Sequence, residues 1–289
     1  MPTRMRNHNG YFVRWDEHGF LFDPGEGTQR QMTFANVSAS EITKIFITHF
    51  HGDHCLGLPG VLQRLSLDRI AHAVEIYYPA SGQKFFDNLR NSSIYHNVAE
   101  IIERPIKQAG IIFEDKNLTI ETQKLDHSAE SWGYRFQESD SVTMLPEKLQ
   151  EFEIRGKNIG ILKELGKIEI NNKIIRREDA SVFKKGQSLA FVMDTGVCDA
   201  AVTLARNVDF LVCESTYLST EIDEAIAHKH LTALQAAEIA RQANAKQLVL
   251  THFSQRYTSI EDFEIEANTI FANAIAVKDG QQILIKREI

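Results

Sequence analysis

The sequence has 289 residues, 43% hydrophobic and 25% charged, with a formal net charge of −7 at pH 7. This length supports one large domain or two small ones with a full hydrophobic core, and the composition excludes global disorder; with no run of about eighteen apolar residues, no membrane-spanning helix is expected. The charged start MPTRMRNHNGYF lacks the apolar stretch of a secretory signal, and Cys55, Cys198 and Cys213 have no paired spacing, so a reducing cytoplasm without a disulfide framework is expected.

In chain order, FLFDPGEGTQRQ (20–31) runs from a short apolar strand into a Gly-rich turn. KIFIT (44–48) is a continuous apolar run of the kind found in buried strands. LPGVLQRLSL (58–67) has helical spacing, with Pro59 suited to the first turn. TIETQKL (119–125), SLAFVM (188–193), DFLVC (209–213) and QLVLT (247–251) read as strands. LTALQAAEIARQAN (231–244) reads as a helix, opened by a capping box of Thr232 and Gln235. Alternating strands and helices predict an α/β fold.

Residues 140 to 185 differ from this pattern, being polar, Lys-rich and without strong periodicity. They are expected to form an insertion or arm, at about 145–185, on a single domain spanning 1–289. Residues 155 to 185 hold nine Lys or Arg against four acids, a local charge of +5, so the remainder of the chain carries −12. A basic element on an acidic body can meet a polyanion, although a solvated surface would have the same composition.

The chemistry concentrates in His49-Phe50-His51-Gly52-Asp53-His54, directly after the run 44–48. In extended geometry 49, 51 and 53 share a side, Gly52 allows a tight turn, and His54 enters the next helix. Three imidazoles and a carboxylate suit Zn²⁺ and related divalent ions, and a surface loop of histidines is a poor explanation for their place after a buried strand. His127, Asp194, Glu214 and His252 each sit at or just past an apolar run, the edge where α/β sheets build ligand sites. Seven candidate ligands (His49, His51, Asp53, His54, His127, Asp194 and His252) exceed what one tetrahedral zinc uses, so two ions sharing a carboxylate such as Asp194 are expected. His230 is placed just ahead of the helix 231–244, whose first N–H groups would attract a phosphate.

The segments PTRMRNHNGY (2–11), FDPGEGTQRQM (22–32), THFHGDHCLGLPG (48–60), LDHSAESWGYR (125–135), FVMDT (191–195), ESTYL (214–218), KHLTALQAA (229–237) and THFSQRY (251–257) together resemble the metallo-β-lactamase superfamily, and within it ribonuclease Z, the tRNA 3′ endonuclease. The histidine–aspartate element specifies only the superfamily; the other segments point to the tRNA-processing branch. The resemblance implies a four-layer αββα sandwich with an inserted arm. It implies two Zn²⁺ per chain, with Mn²⁺ or Mg²⁺ as possible substitutes. One is held by His49, His51, His127 and Asp194, the other by Asp53, His54, Asp194 and His252. It also implies Asp53 as the base toward water, Glu214 and His230 as a carboxylate–imidazole couple, and a homodimer in which the arm of one subunit serves the other.

The function so implied is a zinc-dependent endoribonuclease that removes the 3′ trailer from precursor tRNA, leaving a 3′-hydroxyl on the tRNA and a 5′-phosphate on the trailer. Arg4, Arg6 and Arg256 are expected near phosphates at the cleft, and Arg155 and Lys157 on the arm against the tRNA body. A phosphodiesterase of small substrates on the same scaffold, and a metal-stabilised RNA-binding protein, are the alternatives. The sequence departs from the family in three places. It starts at the Pro of the P-T-x-x-R-N element, so an edge strand is expected to be missing or supplied otherwise. It reads Arg155-Gly156-Lys157-Asn158-Ile159-Gly160 where a Pro-Gly-Pro-like turn is usual, and Met-Asp-Thr where Gly-Asp-Thr is common.

Overall fold

The computed structural model describes residues 2–285. Its strands are β1 (Tyr11–Trp15), β2 (His18–Phe22), β3 (Lys44–Phe46), β4 (Val74–Pro79), β5 (Ile101–Ile106), β6 (Gly110–Glu114), β7 (Leu118–Lys124), β8 (Trp132–Glu138), β9 (Ser141–Met144), β10 (Lys167–Ile170), β11 (Lys173–Arg176), β12 (Ser181–Lys184), β13 (Ser188–Val192), β14 (Phe210–Glu214), β15 (Gln247–Thr251) and β16 (Ala274–Ala276). The helices are α1 (Thr28–Phe34), α2 (Gly52–Cys55), α3 (Leu58–Leu67), α4 (Gln83–Arg90), α5 (Pro146–Glu151), α6 (Lys157–Leu165), α7 (Asp199–Ala205), α8 (Ile222–His228), α9 (Ala233–Gln242) and α10 (Glu261–Asn268).

Two sheets face each other. One has five strands in the order β1-β2-β3-β4-β5, with β1 at its edge; the other has seven, β16-β15-β14-β13-β8-β7-β6. β2 to β5 are parallel, as are β13 to β16, while the pairs β6–β7, β7–β8 and β8–β13 are antiparallel. Between the sheets lies an aromatic layer in which Phe20, Phe22 and Phe46 meet Tyr134, Phe136 and Phe191. The Phe22 and Phe191 rings stack with centroids 4.3 Å apart. On the outer faces, α3 buries Leu58, Val61, Leu62 and Leu65, a single helical stripe, against the five-stranded sheet. α9 buries Ala233, Ala236, Ala237 and Ala240 against the seven-stranded one, small residues that let helix and strands approach closely. Helix, sheet, sheet and helix make the four layers expected of the αββα sandwich.

Helix 58–67 and strand 247–251 occur at the residues their periodicity predicts, and the Thr232–Gln235 capping box forms. The strand predicted over 44–48 ends at Phe46. The Ile47 N–H still donates to the Tyr77 carbonyl of β4 at 2.8 Å, but the Thr48 N–H finds the Asp23 carboxylate at 2.7 Å instead of a strand partner, and the chain peels off the sheet there. Tyr134 still braces the departing segment by donating its hydroxyl to the Ile47 carbonyl at 3.0 Å. Backbone closeness fixes the turn that follows: a Cβ at Gly57 would lie 1.9 Å from the Gly25 carbonyl oxygen, and one at Gly25 would lie 2.2 Å from that of Asp53. These glycines seat the 23–27 turn against α2.

Residues 141–184 close on themselves. β9 and β12 pair antiparallel, Met144 opposite Ser181, and between them α5, α6 and the β10–β11 hairpin enclose a small core of Ile154, Leu162, Ile175 and Ala180. Asn171 and Asn172 both adopt positive φ (51° and 63°), the conformation a two-residue hairpin turn needs. The elements are only four to nine residues long. Their apolar periods are therefore too short to stand out in sequence.

Candidate metal centre

The candidate residues converge where strands of both sheets end. Asp53 departs from the expected extended geometry: it lies on the first turn of α2, with His51 as the preceding cap residue. Gly52 has no left-handed φ, so its role is not the tight turn expected of it. Helical winding instead brings Asp53 and His54 to one side and leaves His49 and His51 to another.

Two donor sets result, sharing Asp194. Around Asp194 Oδ2 stand His49 Nε2 at 3.5 Å and His127 Nε2 at 3.8 Å, while His51 Nδ1 lies 2.9 Å from His49 Nε2 and 3.3 Å from His127 Nε2. Around Asp194 Oδ1 stand His54 Nε2 at 3.2 Å and His252 Nε2 at 3.4 Å, and Asp53 Oδ2 lies 3.6 and 3.5 Å from those two nitrogens. A tetrahedral ion with bonds of about 2.0–2.1 Å separates neighbouring donors by roughly 3.3–3.4 Å, so these spacings suit divalent cations. Asp194 Oδ1 is buried and has no hydrogen-bond partner, a costly state that a bound cation would relieve. Asp194 and His252 both sit at positive φ, 31° and 60°. Such strain costs about 1–3 kcal/mol per residue and is typical where a functional side chain must be aimed.

The far nitrogens of the imidazoles are held. His54 Nδ1 lies 2.8 Å from Asp23 Oδ2, whose carboxylate also accepts from the Thr48 hydroxyl at 2.8 Å. His127 Nδ1 donates to the Lys229 carbonyl at 2.9 Å, and His252 Nδ1 lies 2.7 Å from Thr216 Oγ1. Asp23, Thr216 and Lys229 were not singled out in the sequence. Asp23 follows the apolar run of β2 just as Asp194 follows β13, and the same rule would have found it.

Burial opposes charge on Asp53, but the neighbouring His252 and His54 outweigh this and hold its carboxyl below the usual carboxylate range. Burial and the His54 charge push His49 well down, favouring the neutral imidazole a metal requires. His230 Nδ1 lies 2.9 Å from Glu214 Oε1 and 3.9 Å from Asp194 Oδ2. Burial lowers its pKa, yet the charge and hydrogen bond of Glu214 win and raise it to about 9.

The phosphate site expected at the helix following His230 does not form. The first N–H groups of α9 are already engaged: Ala233 N with the Tyr217 carbonyl, Leu234 N with Glu266, and Gln235 N with Thr232. A cavity of about 830 Å³ opens beside the cluster, lined in part by Arg6, His51, Asp53, Asp194, His230 and His252. Arg6 donates from Nη2 to the carbonyls of Ser254 and Tyr257 at 2.9 and 2.8 Å, pinning the loop after His252. Arg256 stacks over Tyr217 at 5.0 Å and lies 3.6 Å from Glu224. Arg4 is exposed in the N-terminal segment, Arg155 lies in the loop before α6, and Lys157 begins that helix. Gly156 precedes it at φ 56°, so a glycine bend stands where the proline turn is usual.

Among the described residues, no helix is long and apolar enough to cross a membrane. Residues 3–134 match the family model of the metallo-beta-lactamase superfamily. Ribonuclease Z of Protochlamydia amoebophila is 49% identical over 278 residues, covering 96% of this chain and 91% of the relative. Ribonuclease Z of Chlamydia trachomatis serovar L2 is 48% identical over the same shares. The crystal structure of the short form of human tRNase Z superposes with a TM-score of 0.70 at 25% identity, covering 99% of this chain and 95% of that one. With the donor sets, the four layers and these relatives in agreement, the chain belongs to the ribonuclease Z family, in the metallo-beta-lactamase superfamily.

Proposed function

We propose that this protein is an endoribonuclease that cuts precursor tRNA at the 3′ trailer, leaving a 3′-hydroxyl on the tRNA and a 5′-phosphate on the trailer. The observation that carries the reading is Asp194, which offers one oxygen to His49 and His127 and the other to His54 and His252, with His230 within 3.9 Å. His49, His51, His127 and Asp194 would hold one Zn²⁺, and Asp53, His54, Asp194 and His252 a second. Bound cations supply charge stabilisation at the phosphodiester and water activated near neutral pH.

The chain's own groups handle the protons. Asp53, the most accessible of the carboxylates in the cluster, orients the attacking water and takes its proton. The O–P bond forms as the bond to the tRNA 3′-oxygen breaks, and the His230 imidazolium, held charged by Glu214, gives that oxygen its proton. The basic segment 155–185 grips the tRNA body through phosphates, with Arg155 and Lys157 among its contacts; Arg6 borders the cleft, and Arg4 and Arg256, outside its lining, are further phosphate contacts. A homodimer would let the arm of one subunit serve the other, and the cytoplasm is the compartment that this reading assigns.

The test incubates the zinc-loaded protein with a trailer-bearing precursor tRNA and with bis(p-nitrophenyl) phosphate, and maps both RNA ends. One cut after the acceptor stem, with the stated ends, is expected. Rapid hydrolysis of the small ester with no RNA cleavage would replace the reading with a small-substrate phosphodiesterase.

A further inference from the structure

One buried carboxylate stands behind both the His230 acid and a candidate cation ligand. Glu214 Oε1 accepts from the Thr195 main-chain N–H at 2.7 Å and from His230 Nδ1 at 2.9 Å. Its Oε2 accepts from the Thr216 hydroxyl at 2.6 Å and from the Leu231 main-chain N–H at 3.2 Å. An ionised carboxylate can only accept, so the Thr216 proton is committed to Glu214. Thr216 Oγ1 then has only lone pairs to offer His252 Nδ1, 2.7 Å away. That contact is favourable only when Nδ1 carries the proton, which leaves the Nε2 lone pair of His252 facing Asp194 Oδ1 and Asp53 Oδ2. The same hydroxyl lies 3.2 Å from His230 Nδ1.

We infer that Thr216 is a positioning residue that couples the Glu214–His230 pair to His252, setting the cation-binding tautomer of His252 and the placement of His230 through one hydroxyl. The inference rests on the metal-dependent nuclease reading above. Partners behind a ligating imidazole fix its tautomer and orientation and are usually worth tenfold or more in metal affinity. Here the partner is shared with the proton donor, so cation affinity and turnover change together. A valine in place of Thr216 keeps the branched shape in this buried position while removing both the donor and the acceptor.

The experiment compares wild type, Thr216→Val and Thr216→Ser. Zinc affinity is measured by competition with a chromophoric chelator, together with zinc per chain and single-turnover cleavage of precursor tRNA. Thr216→Val is expected to weaken the more loosely held zinc by about 10- to 100-fold and to cleave more slowly even at saturating zinc. Thr216→Ser, which keeps the hydroxyl, is expected to stay close to wild type in both. Unchanged affinity for both ions in Thr216→Val overturns the coupling. So does a Thr216→Ser protein as impaired as Thr216→Val, since the methyl group would then be what matters. Chelator competition needs no RNA, so a wild type that holds zinc but never cuts precursor tRNA would defeat the nuclease reading while leaving the role of Thr216 readable.

Discussion

The rim of the sandwich and the arm hold their polar residues in opposite ways. At the rim, His54, His127 and His252 each have the nitrogen away from the cluster engaged, by Asp23, Lys229 and Thr216, and the backbone is strained at Asp194 and His252 to aim them. On the arm, all but one of the nine basic residues between 155 and 185 are exposed, and the small core beneath them sets their neighbourhood rather than their geometry. Bond-making chemistry needs atoms held to fractions of an ångström, whereas contact with a polyanion needs charge in the right region and tolerates motion. Changes at the rim should therefore be severe and specific, and changes on the arm graded and salt-dependent.

The largest effect is expected from Asp194→Ala, which removes the oxygen donors common to both sets. Metal analysis should find the chain depleted of zinc, with cleavage reduced on the order of 10³-fold or more. A protein that kept two ions per chain would break the contrast at its strongest point.

His230→Ala comes next. It should retain its metal yet turn over about 10²- to 10⁴-fold more slowly. The sign of its pH dependence follows from the raised pKa: the imidazolium is present below about 9 and lost above it. Wild-type turnover should thus decline on the alkaline side, and a pH–rate profile of the variant should lack that decline.

Asp23→Asn sharpens the claim that the rim is set from behind. It leaves every candidate ligand in place but loosens the hold on His54, and should cost about 10- to 100-fold in zinc affinity, read by chelator competition.

The smallest effect is expected on the arm. Joining Met144 to Ser181 by a short turn preserves the β9–β12 pairing and removes the basic elements between. KM for precursor tRNA should rise while hydrolysis of bis(p-nitrophenyl) phosphate holds. A single Lys157→Ala should weaken tRNA binding modestly and lower the slope of log affinity against log salt by about 1. Equal losses on both substrates would show that the arm supports the rim rather than the RNA.

The sandwich was legible because its signals are long or strong. The stripe of α3, the capping box of α9 and the apolar runs of β13 to β15 each carry enough residues for periodicity to show. The arm was legible only as charge, because four-residue strands, a six-residue helix and a nine-residue helix that buries only Leu162 leave no apolar period to read. At the site, the donor residues stood out by type and by place after apolar runs. Asp23 answers to the same rule, at the end of β2, but Thr216 does not, since one hydroxyl near a strand end has many ordinary uses.

Residue chemistry and order along the chain, by themselves, determined that imidazoles and carboxylates would gather at strand ends of an α/β fold, because alternation and apolar runs dictate which segments are buried. Tertiary structure alone decided which oxygen of Asp194 faces which histidines, that Asp53 arrives on a helix rather than a strand, and that the first amides of α9 are already spoken for. Those outcomes depend on partners far away in sequence, Asp23 with His54 and Glu266 with Leu234 among them, whose meeting is fixed only when both sheets close on their shared aromatic layer.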